Sequence, residues 1–155
     1  MTEIRRERFD PTLEYLRQGL TLDMQIDAGF ERIQQLRALA ERRTTVYGRE
    51  KVSGSGAMDH RMDVVARIVD AERELDEWID RLIVLRSQIQ ATISRLQDGR
   101  MRTLLELRYL NGHSWEVIAE RMGYSTRNIY NLHNAALKAV APLVAEEEGR
   151  AAAAV

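Results

Sequence analysis

Residues 114–140 read SWEVIAERMGYSTRNIYNLHNAALKAV, and they carry the most specific pattern in the 155-residue chain. Ser114 can cap a helix that begins at Trp115, and Gly123 can open a tight turn because glycine adopts positive φ without a steric penalty. Ala119 is small enough to stand where two helices cross. Apolar residues that would face inward lie on both sides of the turn: Ile118, Met122, Ile129 and Leu132. The spacing therefore predicts a helix-turn-helix.

Charge is distributed unevenly along the chain, although the net charge is only −1. Residues 100–142 hold six basic and three acidic side chains, and no Asp or Glu occurs from Arg121 to Ala145. An ordinary solvated helix face would be expected to carry interspersed acids there. Because a phosphate backbone attracts cationic side chains, the local excess predicts a nucleic-acid partner for this part of the chain.

The second helix of the pair, Thr126 to Val140, is predicted to lie in the major groove of double-stranded DNA, with its outward side chains facing the base edges. Arginine can form two hydrogen bonds to guanine, and asparagine can form two to adenine. The predicted base-reading residues are Thr126, Arg127, Tyr130, Asn131 and Asn134. Tyr130 could touch a thymine methyl group or a phosphate. The predicted phosphate contacts are Ser125, Arg121 and Lys138, which would position the protein without reading sequence.

Residues 102–140 resemble region four of bacterial sigma factors, and more closely the phage-encoded proteins with a region-four-like domain, among them the ArpU-type late transcriptional regulators. The residues that carry the likeness are Leu107-Arg108-Tyr109, Ser114 to Ala119, Met122 to Ser125 and Ala135 to Lys138. The resemblance implies that the second helix reads promoter DNA and that RNA polymerase is a possible partner. No segment upstream of Arg100 resembles the part of a sigma factor that melts promoters. An activator or repressor is therefore expected, rather than a complete initiation factor.

The N-terminal part of the chain predicts a helical arm. Asp10-Pro11 is a favourable helix start, and apolar residues then recur at helical spacing to about Ala40, with a bend possible at Gly19 or Gly29. Residues 44–57 are glycine-rich and predict a flexible loop. Residues 58–97 predict a second, longer helix whose apolar spacing is typical of a coiled coil. The arm could pack within one chain or between two copies, and a homodimer through the arm is expected.

The expected fold class is therefore all-α, with a long N-terminal helical hairpin or coiled-coil arm followed by a C-terminal three-helix helix-turn-helix domain. The expected boundaries are residues 1–98 for the arm, 99–145 for the region-four-like domain, and 146–155 for an acidic and alanine-rich tail that frays.

An enzyme is not expected. The chain has no cysteine, and its three histidines, His60, His113 and His133, stand apart on segments where exposed positions are expected. No metal site or cofactor is predicted. Without a signal peptide or a membrane-length apolar run, the protein is expected in the host-cell cytosol, associated with the nucleoid.

Two hypotheses about function follow from these patterns. The first is a sequence-specific transcriptional regulator with double-stranded DNA as its partner, and the resemblance implies that it is phage-encoded. The second is a structural adaptor, either a DNA-packaging recognition subunit or a coiled-coil protein that docks on polymerase without reading bases. Substitution of Arg127 and Asn131 discriminates between them, because only the first hypothesis requires these side chains for sequence discrimination.

Overall fold

A computed structural model describes residues 9–47 and 55–154, and within those residues every regular element is a helix. In chain order these are α1 (Pro11–Tyr47), α2 (Ser55–Ser94), α3 (Gly99–Leu105), α4 (Trp115–Met122) and α5 (Thr126–Ala153), and α3 continues directly into a π-helical turn, Glu106–Leu110. The predicted all-α fold class is confirmed.

The ends of the two long helices differ from those expected from the sequence. The predicted loop over residues 44–57 lies partly outside the described residues, but residues 44–47 belong to α1 and residues 55–57 to α2. α2 ends at Ser94 because the backbone N–H groups of Arg95 and Leu96 donate to carbonyls only three residues back, at 3.2 and 3.0 Å, which tightens the final turn. Asp98 then caps α3 by accepting a hydrogen bond from the Arg100 backbone N–H at 2.9 Å.

The chain divides into two compact units, and the division falls within both long helices. Unit 1 combines residues up to 21 with residues from 83 onward, and unit 2 comprises residues 22–82. This division differs from the expected boundary near residue 98, because the start of α1 and the end of α2 share a core with α3, α4 and α5.

Unit 1 has a continuous apolar core to which all five helices contribute. Its fully buried side chains include Leu16 from α1, Ile93 from α2, Leu104 from α3, Ile118 from α4 and Ile129 from α5. A buried polar contact joins the first two of these helices, since the hydroxyls of Tyr15 and Thr92 lie 3.0 Å apart. Thr92 also donates to the carbonyl of Gln88 at 3.0 Å, so Tyr15 is the donor in the pair.

Unit 2 is an antiparallel pair formed by the remaining parts of α1 and α2. Ile26 and Ile33 pack with Leu75 and Leu82, and ion pairs from Arg32 to Glu74 and from Arg37 to Glu72 lie beside this core. At Gly29 an added Cβ would lie 2.9 Å from Leu75 Cδ1, so this glycine allows close approach of the helices rather than a bend.

Several large apolar residues of the arm lie off the buried face. Met24 and Phe30 belong to the apolar residues of α1 but are exposed, and Gly29 packs against α2 instead. The apolar residues near the start of α2 are exposed as well: Met62, Val65 and Val69.

The C-terminal tail is helical as far as Ala153, and the expected fraying is not observed in the described residues. α5 continues through Pro142 because Val140 and Val144 are buried in the core on either side of it. Beyond that point Glu146 binds Arg95 at 2.8 Å and Arg150 at 2.8 Å, and both contacts hold the last turns of the helix.

Candidate nucleic-acid interface

Residues 114–126 set the geometry between α4 and α5. The Ser114 hydroxyl caps α4 by accepting from the Val117 backbone N–H at 3.3 Å, as predicted. Gly123 has φ 70°, and the N–H groups of Gly123 and Tyr124 donate to the carbonyls of Glu120 and Ala119 at 3.2 and 3.0 Å. This pair of bonds is a Schellman motif, which ends α4 sharply. Ser125 then caps α5, accepting from the Asn128 backbone N–H at 3.2 Å.

Replacing Gly123 with alanine should destabilise the protein by about 1–2 kcal/mol, because a side chain at positive φ brings Cβ close to the carbonyl oxygen. No atom lies within 4 Å of the Cβ position, so the cost is conformational rather than a clash. Thermal unfolding should shift downward by roughly 2–8 °C.

Gly149→Ala is the matched control for that change, because Gly149 also has open space around its Cβ position but lies in α5 without positive φ. It should be neutral or slightly stabilising, since alanine favours helix by up to about 1 kcal/mol. Equal losses of stability in the two variants would contradict the assigned role of Gly123.

The inner faces of α4 and α5 pack as the sequence predicted. Ile118 and Ile129 have no exposed surface, Ala119 is buried at the crossing, and Met122 and Leu132 are half-buried against the same core. Because both helices are anchored by these side chains, the opposite side of α5 is held outward.

All eight predicted contact residues are exposed, and seven of them lie on α5 or its cap. Arg127, Asn131, Asn134 and Lys138 recur every three or four residues opposite the buried face of α5, and we call these four residues the outward stripe. Tyr130 and Thr126 lie on one flank of it, and Ser125 caps the helix beneath. Within the described residues, the side chains of the outward stripe make no hydrogen bond or ion pair with the rest of the protein, so their donors and acceptors are available to a partner.

Arg121 lies apart from the outward stripe, on the last turn of α4. Its guanidinium donates to Nε2 of His113 at 3.3 Å, and both side chains are at the surface. Arg121 therefore adds a surface cation at the end of α4, next to the loop that precedes this helix.

An aromatic cluster behind α5 was not predicted from the sequence. Trp115 packs against Tyr130 with ring centroids 5.3 Å apart and against His133 with centroids 4.6 Å apart. His133 Nε2 is 2.6 Å from the Tyr109 hydroxyl, and Arg108 Cζ lies 4.5 Å from the centre of the Trp115 ring. His133 follows the buried Ile129 by one helical turn, and this spacing is the signal by which sequence analysis could have found it.

The π-helical turn after α3 brings Arg108 and Tyr109 to this cluster. The turn is closed by the backbone N–H of Asn111, which donates to the carbonyl of Glu106, five residues earlier, at 3.0 Å. Arg108 also donates to the His113 carbonyl at 2.9 Å, so one side chain holds both the indole of Trp115 and the loop that precedes α4.

His133 is buried, and this corrects the expectation that it lies at an exposed position. Desolvation lowers the pKa of His133 to about 4, with the positive charges of Arg108 and Arg17 acting in the same direction and Asp10 opposing them. Burial also raises the pKa of the Tyr109 hydroxyl to about 12. The pair is therefore neutral at pH 7, and His133 adds no charge to the surface of α5.

Among the described residues, no three His, Asp or Glu side chains converge in a way that could hold a metal ion. None of their helices combines the length and the apolar character needed to cross a bilayer.

The described residues form an all-helical protein. Its helix α5 presents an exposed face of arginine, asparagine and lysine side chains that have no partner within the described residues. Residues 43–141 match the family described as a protein of unknown function, DUF1492, and this match covers more than half of the chain. The chain belongs to that family. Comparisons with curated proteins and with solved structures found no match.

Proposed function

We propose that this protein is a sequence-specific regulator of transcription that binds double-stranded DNA. In this proposal α4, the Gly123 turn and α5 form a helix-turn-helix, and α5 reads the major groove from Thr126 to Val140. The observation that carries it is the outward stripe, whose arginine, two asparagines and lysine have no partner within the described protein. Such side chains recognise guanine and adenine edges and phosphate.

The local geometry of α5 favours a role in reading DNA bases over that of an ordinary solvent-exposed helix face. A helix can present side chains to base edges only if its orientation is fixed. α5 is fixed at its start by the Ser125 cap and along its length by buried residues on its opposite side: Ile129, His133, Ala136, Val140 and Val144. A solvated face with no partner would need no such placement of three amide and guanidinium groups in one row.

Charge supports the same assignment. The segment from Arg121 to Ala145 contains no acidic residue, and Arg121, which donates to His113, adds a surface cation on the last turn of α4. Cations that flank a reading helix contact phosphates and set its register on the duplex. In the proposed complex Arg127, Asn131 and Asn134 face bases, while Ser125, Arg121 and Lys138 face the backbone.

Selection of bound duplexes from a random DNA pool, carried out at low and at moderate salt, tests the proposal. A motif that is still enriched at the higher salt is the expected result, because base contacts survive screening of the phosphate attraction. Binding that fades with salt and leaves no motif would mean backbone attraction alone. That outcome would favour an adaptor, either in DNA packaging or on polymerase.

A homodimer is the second element of the proposal, assembled through one face of α2. Met62, Val65 and Val69 are 67, 56 and 46% exposed, and with Ala66 they form an apolar stripe at helical spacing. In an antiparallel pair of α2 helices centred on this stripe, Met62 faces Val69 of the other copy. Asp59 then lies opposite Arg73 at each end, so the surface is complementary to itself in charge.

Val65→Asp should convert the dimer to a monomer in sedimentation equilibrium at micromolar protein, because it places a carboxylate in the centre of the apolar stripe. The stripe is small beside a standard interface, so weak association is expected. Leu39→Asp is the matched control, since Leu39 is 52% exposed on α1 and lies outside the stripe. A wild-type protein that stays monomeric, or a loss of association in both variants, would count against this interface.

The resemblance to phage-encoded region-four-like proteins, of the ArpU type, makes RNA polymerase a further partner of the proposed regulator. It would place the protein with the nucleoid, in the cytosol of a host cell. No cofactor, metal or enzymatic activity belongs to the proposal.

A further inference from the structure

Trp115 is the first residue of α4, and its indole lies between the helix that precedes it and the helix proposed to read DNA. Arg108 stands over the ring, with Cζ 4.5 Å from its centroid. On the α5 side Trp115 contacts His133 edge-on, with an interplanar angle of 68°, and contacts Tyr130 at 49°. One side chain therefore joins a buried cluster to a residue at the surface.

The groups on the inner side of Trp115 are themselves held in place. His133 is hydrogen-bonded to the Tyr109 hydroxyl at 2.6 Å, and Arg108 donates to the His113 carbonyl at 2.9 Å. The partners in both contacts are themselves held in place. Tyr109 is buried, and the backbone N–H of His113 donates to the carbonyl of Leu107 at 3.0 Å. The position of the Trp115 indole is therefore fixed by its neighbours.

Tyr130 is on the outer side of the indole and remains 45% exposed. It lies on the flank of the outward stripe, next to Asn131 and one turn before Asn134. A tyrosine ring has two side-chain torsions, and a ring that is already packed on a neighbour loses little further entropy on binding. Apart from its hydroxyl the ring is apolar, and an apolar ring edge suits the C5 methyl group of thymine, which projects into the major groove.

We propose that Trp115 is a positioning residue that holds the Tyr130 ring against a thymine methyl group in the target DNA. The inference rests on the proposed function, since it requires a DNA sequence that the protein selects. It assigns a role in specificity to a residue that lies outside the base-reading set.

Replacing thymine by uracil in the selected duplex, one position at a time, tests this assignment, because the change removes only the methyl group. Wild-type protein should lose about fourfold in affinity at one thymine position per half-site, the effect of one methyl group withdrawn from an apolar contact. Tyr130→Ala should abolish that uracil effect. Tyr130→Phe should keep it, because the ring edge is retained.

Trp115→Leu should reduce the uracil effect to less than twofold while affinity for a scrambled duplex stays within twofold of wild type. Trp115→Phe should restore most of the effect. Leu137→Ala is the control for lost stability, since Leu137 packs on the unit 1 core, and it should leave the uracil effect intact. The folded fraction of each variant is measured by circular dichroism at the assay temperature.

Three results would overturn the inference. They are an unchanged uracil effect in folded Trp115→Leu, no sensitive thymine in wild type, and a Tyr130→Phe variant that binds all sequences more weakly by the same factor. The last result would assign the Tyr130 hydroxyl to a phosphate. Failure of the proposed function is distinguished from these, because it would show as the absence of any selected duplex.

Discussion

Arg127→Ala and Asn131→Ala should each weaken binding to the selected DNA site by about 5- to 150-fold, the range of one bidentate base contact. Both side chains are exposed on the outward stripe of α5 and make no contact that supports the fold within the described residues. Loss of either should therefore change recognition and leave thermal stability unchanged. Affinity for a scrambled duplex should fall only slightly for Asn131→Ala, because asparagine carries no charge.

Asn128→Ala and Lys138→Ala are the matched controls for these changes. Asn128 undergoes the same chemical change as Asn131 but lies on the flank of α5 away from Tyr130, and its substitution should have little effect on discrimination. Lys138→Ala should weaken binding to every sequence alike. It should also reduce the slope of log affinity against log salt concentration by about one. Binding is measured by fluorescence anisotropy at constant salt.

An unchanged sequence preference in Arg127→Ala and Asn131→Ala would contradict direct reading by α5. The same enriched motif recovered by both variants would then assign specificity to other residues or to DNA shape. Uniform losses on all duplexes would favour the adaptor hypothesis.

Acid should destabilise the protein through His133, with a fall in the free energy of unfolding of about 2–3 kcal/mol between pH 6.5 and pH 4. Burial is the principal cause, and it lowers the pKa of His133 from 6.5 to about 4. The unfolded chain therefore takes up a proton on this histidine at a pH where the folded chain does not. Above pH 6.5 His133 is neutral in both the folded and the unfolded chain, and the protein keeps its full free energy of unfolding. The free energy of unfolding falls as the pH drops from 6.5 to 4, and below pH 4 this histidine causes no further loss.

The double variant Tyr109→Phe/His133→Leu removes both members of the buried pair and leaves no polar group without a partner. Between pH 7 and pH 4 the free energy of unfolding of the double variant should fall by about 2–3 kcal/mol less than that of the wild type. Urea unfolding at pH 7, 5.5 and 4 measures this difference. The carboxyls of Asp98 and Glu146, whose pKa values are lowered by arginine neighbours, titrate in both proteins and cancel. Parallel pH profiles would show that His133 does not resist protonation.

Local signals in the sequence were sufficient for the segment from Ser114 to Ile129. A cap, a glycine at positive φ and an inward apolar pair each act within a few residues, so Ser114, Gly123 and Ile118 could be assigned from the sequence alone. The outward stripe follows from the same periodicity, because fixing the buried face of α5 also fixes the opposite one. Its exposure agrees with the prediction, whereas its contact with DNA stays a prediction.

Long-range contacts explain what the sequence did not reveal. The helical tail depends on the pairing of Arg95 with Glu146, which are 51 residues apart, and composition alone favoured fraying. His133 was expected at the surface because histidine is polar, but its ring is enclosed by Tyr109 and Trp115 from other helices. On α1 the close approach at Gly29 selects the packed face, and large residues such as Met24 are left outside it.

The affinity of wild-type and Arg127→Ala protein for selected duplexes that carry 7-deazaguanine tests base reading by α5 most directly. This base lacks the N7 acceptor in the major groove and keeps its Watson–Crick pairing. We predict that one substituted position weakens wild-type binding severalfold and that the same substitution has no effect on Arg127→Ala. Full wild-type affinity at every substituted guanine, or equal losses in the two proteins, would contradict the assignment of Arg127 to a guanine edge.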